Sequence, residues 1–109
     1  MIERREFLGY SLAAVSAGTS ASAATADRLS HAVTLGRRVL GEGHLPADPI
    51  RIRAELDAGP ASVPQLFTRD WSARIAQDFS AQRMIPAAGW SLSRTEACLC
   101  ALAALELGA

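Results

Sequence analysis

Two cysteines, Cys98 and Cys100, are the residues best suited to chemistry in this chain, because a thiolate can attack a substrate, bind a metal ion or form a disulfide. They lie two positions apart in a segment with a helical pattern, so their side chains point to nearly opposite sides of a helix, which disfavours a disulfide between them. They could cross-link to another chain in an oxidising compartment. The alternative is burial as small apolar side chains in an alanine-rich helix, and we expect burial.

Patterns typical of other active sites do not occur in the sequence. The two histidines, His31 and His44, fall on a predicted helix and in a glycine-rich loop, which leaves too few ligands for a metal site. There is no G-x-S-x-G sequence, phosphate loop or GxGxxG turn. The carboxylates are scattered over predicted helix starts and exposed faces, where capping and solvation explain them. We therefore expect no catalytic, cofactor or metal site in this chain, with a small hydrolase or metal protein as one alternative.

Length and composition favour a single small domain. The chain has 109 residues and is 50% hydrophobic, but aromatic residues make up only 6%, so the core must be built largely from alanine and leucine. Eleven arginines balance eleven acidic residues and give a formal net charge of zero. This balance predicts no binding to nucleic acid or to anionic lipid.

The first residues have the layout of an export signal. Arg4 and Arg5 precede Phe7 and Leu8, and a weakly apolar, uncharged run extends to about Ala17. The run is diluted by glycine and serine and is shorter than the ~20 apolar residues that span a bilayer, so we expect no permanent membrane anchor.

The export pathway is indicated by Arg4-Arg5-Glu6-Phe7-Leu8, which resembles the twin-arginine motif of bacterial signal peptides. Glu3 and Glu6 leave little of the positive charge that a general secretory signal carries. A general secretory signal, or an amphipathic helix that is never removed, is the alternative. The resemblance implies recognition by the twin-arginine translocase and delivery of a folded protein to the periplasm.

Small residues after the apolar run offer two cleavage sites. Ala24-Thr25-Ala26 and Ala21-Ser22-Ala23 both have the A-x-A spacing. We expect cleavage after Ala26, which divides the chain into a signal peptide, residues 1–26, and a small helical accessory domain, residues 27–109.

Apolar periodicity and caps predict the elements of that domain. The predicted helices are Asp27 to Leu40, Pro49 to Ala58, one opened by Ser62-Val63-Pro64 that carries Phe67, Trp71, Ile75 and Phe79, and Arg94 to about Leu107. A brief strand is the alternative near Ile50, and Met84 to Trp90 is expected to break the third helix through an extended turn. The predicted fold class is all-α, a small bundle of three to four short helices.

The C-terminal helix is apolar almost all round after a capping box formed by Ser93 and Glu96. Such a helix is normally buried. In a small domain it either packs centrally or contacts a partner, and Trp90 is either a core residue or an interface anchor. We predict partner contacts for Trp90, Leu92, Leu99, Leu102 and Leu105.

Three features together resemble a known family: the twin-arginine signal, the W-x-x-x-I-x-x-D-F pattern from Trp71 to Phe79, and the segment Gly89 to Ala97. They are similar to the small subunits that accompany periplasmic flavin-dependent dehydrogenases of the glucose-methanol-choline oxidoreductase type. The resemblance implies a non-catalytic escort whose large flavoprotein partner carries FAD and all the catalysis. The alternative is a free-standing periplasmic helical interaction module whose C-terminal helix packs against a second copy.

Overall fold

The computed structural model describes the backbone of residues 21–108 and the side chains of residues 26–108. Within this part of the chain there are five helices and one two-stranded antiparallel sheet. In chain order they are α1 (Ala21–Gly41), α2 (Pro49–Leu56), α3 (Val63–Leu66), α4 (Ser72–Ser80), β1 (Met84–Ala87), β2 (Trp90–Ser93) and α5 (Arg94–Leu107). The mainly helical fold is confirmed. The all-α class is corrected, because β1 and β2 form a hairpin.

The C-terminal helix α5 is the centre of the domain. Residues 95–103 of this helix are all buried, and α1, α2, α3, α4 and both strands contact it. An apolar surface on every side of a helix is stable in water only when neighbours cover every side, and here the rest of the chain provides them. The central packing that the sequence left open is therefore what the chain adopts.

The long helix α1 lies along α5. It begins earlier than the predicted Asp27 and ends at Gly41, one residue beyond the predicted Leu40. Ala32, Gly36 and Val39 recur at spacings of four and three residues and are buried against the core. Because these side chains are small, the two helix backbones approach closely. None of the helices in the described residues is both long enough and apolar enough to span a membrane.

Helix α2 follows its predicted cap closely. The Asp48 carboxylate accepts hydrogen bonds from the backbone N–H groups of Ile50 (3.1 Å) and Arg51 (3.4 Å). The helix ends at Leu56, where Asp57 adopts a left-handed conformation with φ 55°. Helix is thus confirmed over the alternative strand, although it ends before the predicted Ala58.

The predicted third helix is divided in two. The chain leaves α3 after Leu66 and starts α4 at Ser72, because polar side chains satisfy the helix ends between them. The indole Nε1 of Trp71 donates to the Leu66 carbonyl at 2.8 Å, and the Asp70 carboxylate accepts from the Ser72 N–H at 3.0 Å. The apolar positions still point into the core: Phe67, Trp71 and Ile75 are buried, and Phe79 packs against them.

The predicted extended turn is a β-hairpin. Ala87 pairs with Trp90, and Ala88 and Gly89 form a two-residue connection with φ values of 53° and 79°. Two positive φ values are typical of the type I′ turn, whose twist matches that of paired strands. The hairpin places the start of α5 directly after β2.

Candidate functional site

A polar pocket of about 240 Å³ lies where α2, α4 and the start of α5 meet. Its wall contains three arginines, two carboxylates and one thiol, together with uncharged side chains. The lining residues are Glu55, Leu56, Arg74, Gln77, Asp78, Arg83, Arg94, Thr95 and Cys98. The pocket thus combines cationic, anionic and thiol side chains in one place.

Asp78 is the buried carboxylate of this pocket, with 4% of the residue exposed. One oxygen, Oδ2, accepts from the Thr95 backbone N–H at 2.7 Å, and Oδ1 accepts from Arg83 Nε at 3.1 Å. Burial alone raises the pKa of Asp78, but the hydrogen bonds from Thr95 and Arg83 outweigh burial and lower the pKa below its usual range. Asp78 is therefore ionised at neutral pH and provides a negative charge at the N-terminus of α5.

A second carboxylate joins α2 to α5. Glu55 binds Arg94 with both oxygens, one through Arg94 Nε and the other through Arg94 Nη2 at 3.0 Å. The hydrogen bond from Arg94 is the largest cause that lowers the pKa of Glu55. Such a two-point pair fixes orientation as well as distance, so it sets the position of α2 against the start of α5.

The Cys98 side chain forms part of the pocket wall but is buried. Burial, followed by the nearby charge of Glu55, raises the pKa of the Cys98 thiol to about 12. Burial likewise raises the pKa of Cys100. Both cysteines are free thiols, as the sequence predicted from their spacing, and both are neutral near pH 7.

Arg74 binds the end of α2 rather than an acidic neighbour. Its Nη1 donates to the Leu56 carbonyl and its Nη2 to the Glu55 carbonyl, each at 2.9 Å. The guanidinium carbon also lies 5.6 Å from the centroid of the Trp71 ring. A positive charge at a helix C-terminus is stabilising, so Arg74 has a clear structural role.

The structure places three of the five predicted partner contacts inside the domain. Leu92, Leu99 and Leu102 are 1%, 2% and 0% exposed, so this chain already covers them. Trp90 and Leu105 are partly buried at the edge of the core. Partner contact stays a prediction for these two residues, because only they keep side-chain surface in reach of another protein.

Two exposed apolar residues were not among the predicted contacts. Ile50 on α2 is 78% exposed and Leu107 at the end of α5 is 46% exposed. The sequence places Ile50 directly after the predicted cap pair Asp48 and Pro49, but it gives no signal that separates exposed Ile50 from buried Ile52.

The predicted export residues Arg4, Arg5, Phe7 and Leu8 lie outside the described residues. Both predicted cleavage residues, Ala24 and Ala26, lie in the first turns of α1, and the side chain of Ala26 is exposed. The predicted cleavage after Ala26 therefore falls within α1.

A shallower groove of about 380 Å³ starts beside that position and runs between α1 and the end of α5. Arg37 donates from Nη2 to the Gly108 carbonyl at 2.7 Å, which joins α1 to the end of α5. The lining residues are Ala26, Leu29, Ser30, Val33, Thr34, Arg37, Leu107 and Gly108.

No group of three or more His, Cys, Asp or Glu side chains in the described residues is arranged to hold a metal ion. Comparisons with protein-family models, with curated proteins and with solved structures find no match to this chain.

Proposed function

We propose that this chain is a non-catalytic small subunit that escorts a folded, FAD-containing oxidoreductase subunit through the twin-arginine pathway and stabilises it in the periplasm. The observation that carries the proposal is the segment Arg4-Arg5-Glu6-Phe7-Leu8, followed by a weakly apolar run and by A-x-A sites. The flavoprotein is inferred as the partner from the family resemblance, of which the segment Gly89 to Ala97 is one part.

The position of the predicted cleavage site supports a removable signal. Ala26 and Asp27 are exposed, and the first buried residues of α1 are Arg28 and Ala32. Cleavage after Ala26 therefore removes no described side chain that packs in the core. The domain keeps the buried residues Ala32, Gly36 and Val39 of α1 when the signal is gone.

The polar pocket supports a structural role for its charged residues. Asp78 caps α5, Arg74 caps α2, and Glu55 and Arg94 hold these helices together. Each of these groups has a partner whose loss would weaken the fold. With a pKa near 12, the Cys98 thiol is also a poor nucleophile at neutral pH.

The fold shifts the proposed partner contact away from the centre of α5. Ile50 and Leu107 are the large apolar side chains most exposed in the described residues, and Trp90 and Leu105 keep part of their surface. We propose these four as the candidate contacts of the large subunit. The alternative homodimer loses its main support, because Leu99 and Leu102 cannot reach a second copy from within the core.

The test is to make the chain with its signal and a C-terminal tag in cells that also make its native partners, and to recover the tagged protein from the periplasm. The eluate is analysed by mass spectrometry and by its visible absorption spectrum. We expect a yellow eluate that contains a large flavin-bearing protein. When Arg4 and Arg5 are both changed to lysine, both proteins should stay in the cytoplasm.

The second arginine pair of the chain provides the matched control. Arg37 and Arg38 are exposed on α1, so changing both to lysine should leave export intact. A colourless eluate that contains this chain alone would contradict the escort role and favour the free-standing module. Export of the flavoprotein in cells that lack this chain would contradict it as well.

A further inference from the structure

In the pocket between α2, α4 and α5, more hydrogen-bond donors than acceptors remain without a partner among the described residues. We propose that this pocket binds a small oxyanion, either a carboxylate or a phosphate. Three guanidinium groups and two carboxylates line the pocket, which gives its lining a formal net charge of +1. An anion is the ligand that such a surplus attracts.

The two carboxylates already use their oxygens within the protein. Both oxygens of Asp78 accept from Thr95 and Arg83, and both oxygens of Glu55 accept from Arg94. A cation entering the pocket would have to compete with these bonds. The acidic residues therefore position the arginines and leave little for a positively charged ligand.

The arginines, in contrast, keep donors available. Arg83 donates only through Nε, to Asp78, and its two Nη atoms bond to no residue that the structure describes. Arg94 donates through Nε and Nη2, which leaves Nη1. The exposed amide of Gln77 adds a neutral donor at the rim. Planar guanidinium groups of this kind bind the oxygens of carboxylate and phosphate.

The floor of the pocket increases the effect of these charges. Leu56 and Cys98 are buried, with 1% and 0% exposure. On that side the arginines therefore border the protein interior, which has a lower dielectric constant than water. The volume of about 240 Å³ lies below the usual range for drug-sized ligands, which limits the ligand to one small anion.

The experiment uses the full-length chain and two probes, succinate and inorganic phosphate, each titrated separately at constant ionic strength. Binding is followed by the NMR shift of the Thr95 amide and by calorimetry. We expect saturable binding of at least one anion, and no binding of succinamide, the uncharged analogue of succinate. Saturation by only one of the two probes identifies which oxyanion the pocket prefers.

The first variant replaces the neutral donor of Gln77 with a negative charge. Gln77→Glu places a carboxylate at the rim and should weaken anion binding about tenfold or more by repulsion. Gln82→Glu is the matched control, because Gln82 is exposed and does not line the pocket. It should leave the affinity unchanged.

The second variant removes the donors themselves. Arg83→Gln should weaken binding by a similar factor, with Arg51→Gln as a control at an exposed arginine outside the pocket. Circular dichroism establishes that Arg83→Gln is folded before binding is measured. Absence of a saturable shift with both anions, or equal affinity for the Gln77→Glu and Gln82→Glu variants, would overturn the proposal.

Discussion

Gly36 of α1 lies directly against the Cys100 carbonyl of α5: a β-carbon placed on Gly36 would lie 2.0 Å from that oxygen. The same β-carbon would lie 2.9 Å from the β-carbon of Ala104. The first of these contacts is with backbone in the middle of a buried helix, which cannot rotate away.

Gly36→Ala should therefore destabilise the domain strongly, although alanine is the better helix former. We expect a loss of about 3 kcal/mol in the free energy of unfolding, since α1 must shift to make room. Gly41→Ala is the control, because nothing lies within 4 Å of a β-carbon there, and it should change stability by less than ~1 kcal/mol. Urea unfolding monitored by tryptophan fluorescence measures both, and equal stabilities would contradict the close approach.

Asp78→Asn should weaken the start of α5. The change removes the negative charge that accepts the Thr95 N–H and the Arg83 Nε hydrogen bonds. We expect a loss of roughly 1.5–3 kcal/mol, the range for hydrogen bonds to charged groups. Asp27→Asn, at an exposed residue, should be neutral within ~0.5 kcal/mol. An Asp78 variant as stable as the Asp27 variant in urea would show that the cap contributes nothing.

The domain should lose stability in acid. The pKa values of Glu55 and Glu106 are lowered foremost by hydrogen bonds from Arg94 and Arg53, and the pKa of Asp78 is also lowered. Since these carboxyls hold protons more weakly in the folded chain than in the unfolded chain, their contribution is complete above the unfolded pKa values, near pH 4. It is lost as the pH falls further, through the folded pKa values.

Urea midpoints between neutral pH and about pH 3 would measure this loss. The decline should be shallower in Asp78→Asn, which has one such carboxyl fewer. A midpoint that stays constant down to pH 3 would contradict the lowered pKa values.

Ala88→Asn should stabilise the hairpin. Ala88 has φ 53°, a left-handed conformation that is unfavourable for alanine, and it precedes Gly89 with φ 79°. Asparagine before glycine is the preferred pair for this turn, so we expect a gain of about 0.5–1 kcal/mol in unfolding free energy. Ala88→Val should have the opposite effect, because a β-branched residue tolerates this conformation poorly. Thermal unfolding compares the variants, and a lower midpoint for Ala88→Asn would contradict the turn type.

The thiols of Cys98 and Cys100 should resist labelling in the folded chain. Both are buried, and burial raises both pKa values, so little thiolate is available at pH 8. A thiol reagent should modify two cysteines rapidly in urea and none in buffer over the same interval. Fast modification of the native chain would mean that α5 is more open than its packing indicates.

The sequence predicted well those elements whose ends depend on neighbouring residues. The cap of α2 by Asp48 and the capping box of Ser93 and Glu96 on α5 both form as expected, because each needs only residues three or fewer positions apart. The break between α3 and α4 was missed, since the steps of four from Phe67 to Phe79 continue through it. The periodicity there indicates which residues are buried. The hydrogen bonds of the Trp71 and Asp70 side chains determine where α3 ends and where α4 begins.

The hairpin was missed for a different reason. The residue before Gly89 is Ala88, whereas a type I′ turn usually has asparagine or glycine at that position, so the sequence carried no signal for the turn.

The polar pocket could not be predicted from local sequence patterns. Arg74 lies 18 and 19 positions from the carbonyls that it binds, and Glu55 lies 39 positions from Arg94. Only the packing of α2 and α4 on α5 brings them together.

The central position of α5 also sets the order of events during synthesis. Every other element contacts this helix, yet its residues leave the ribosome after all the others that the structure describes. Until then α1 to α4 lack the helix that covers most of their apolar faces, so we expect the core to form late. Arg4 and Arg5 meanwhile emerge first. The proposed export of a folded chain therefore requires that translocation starts only after translation has passed α5.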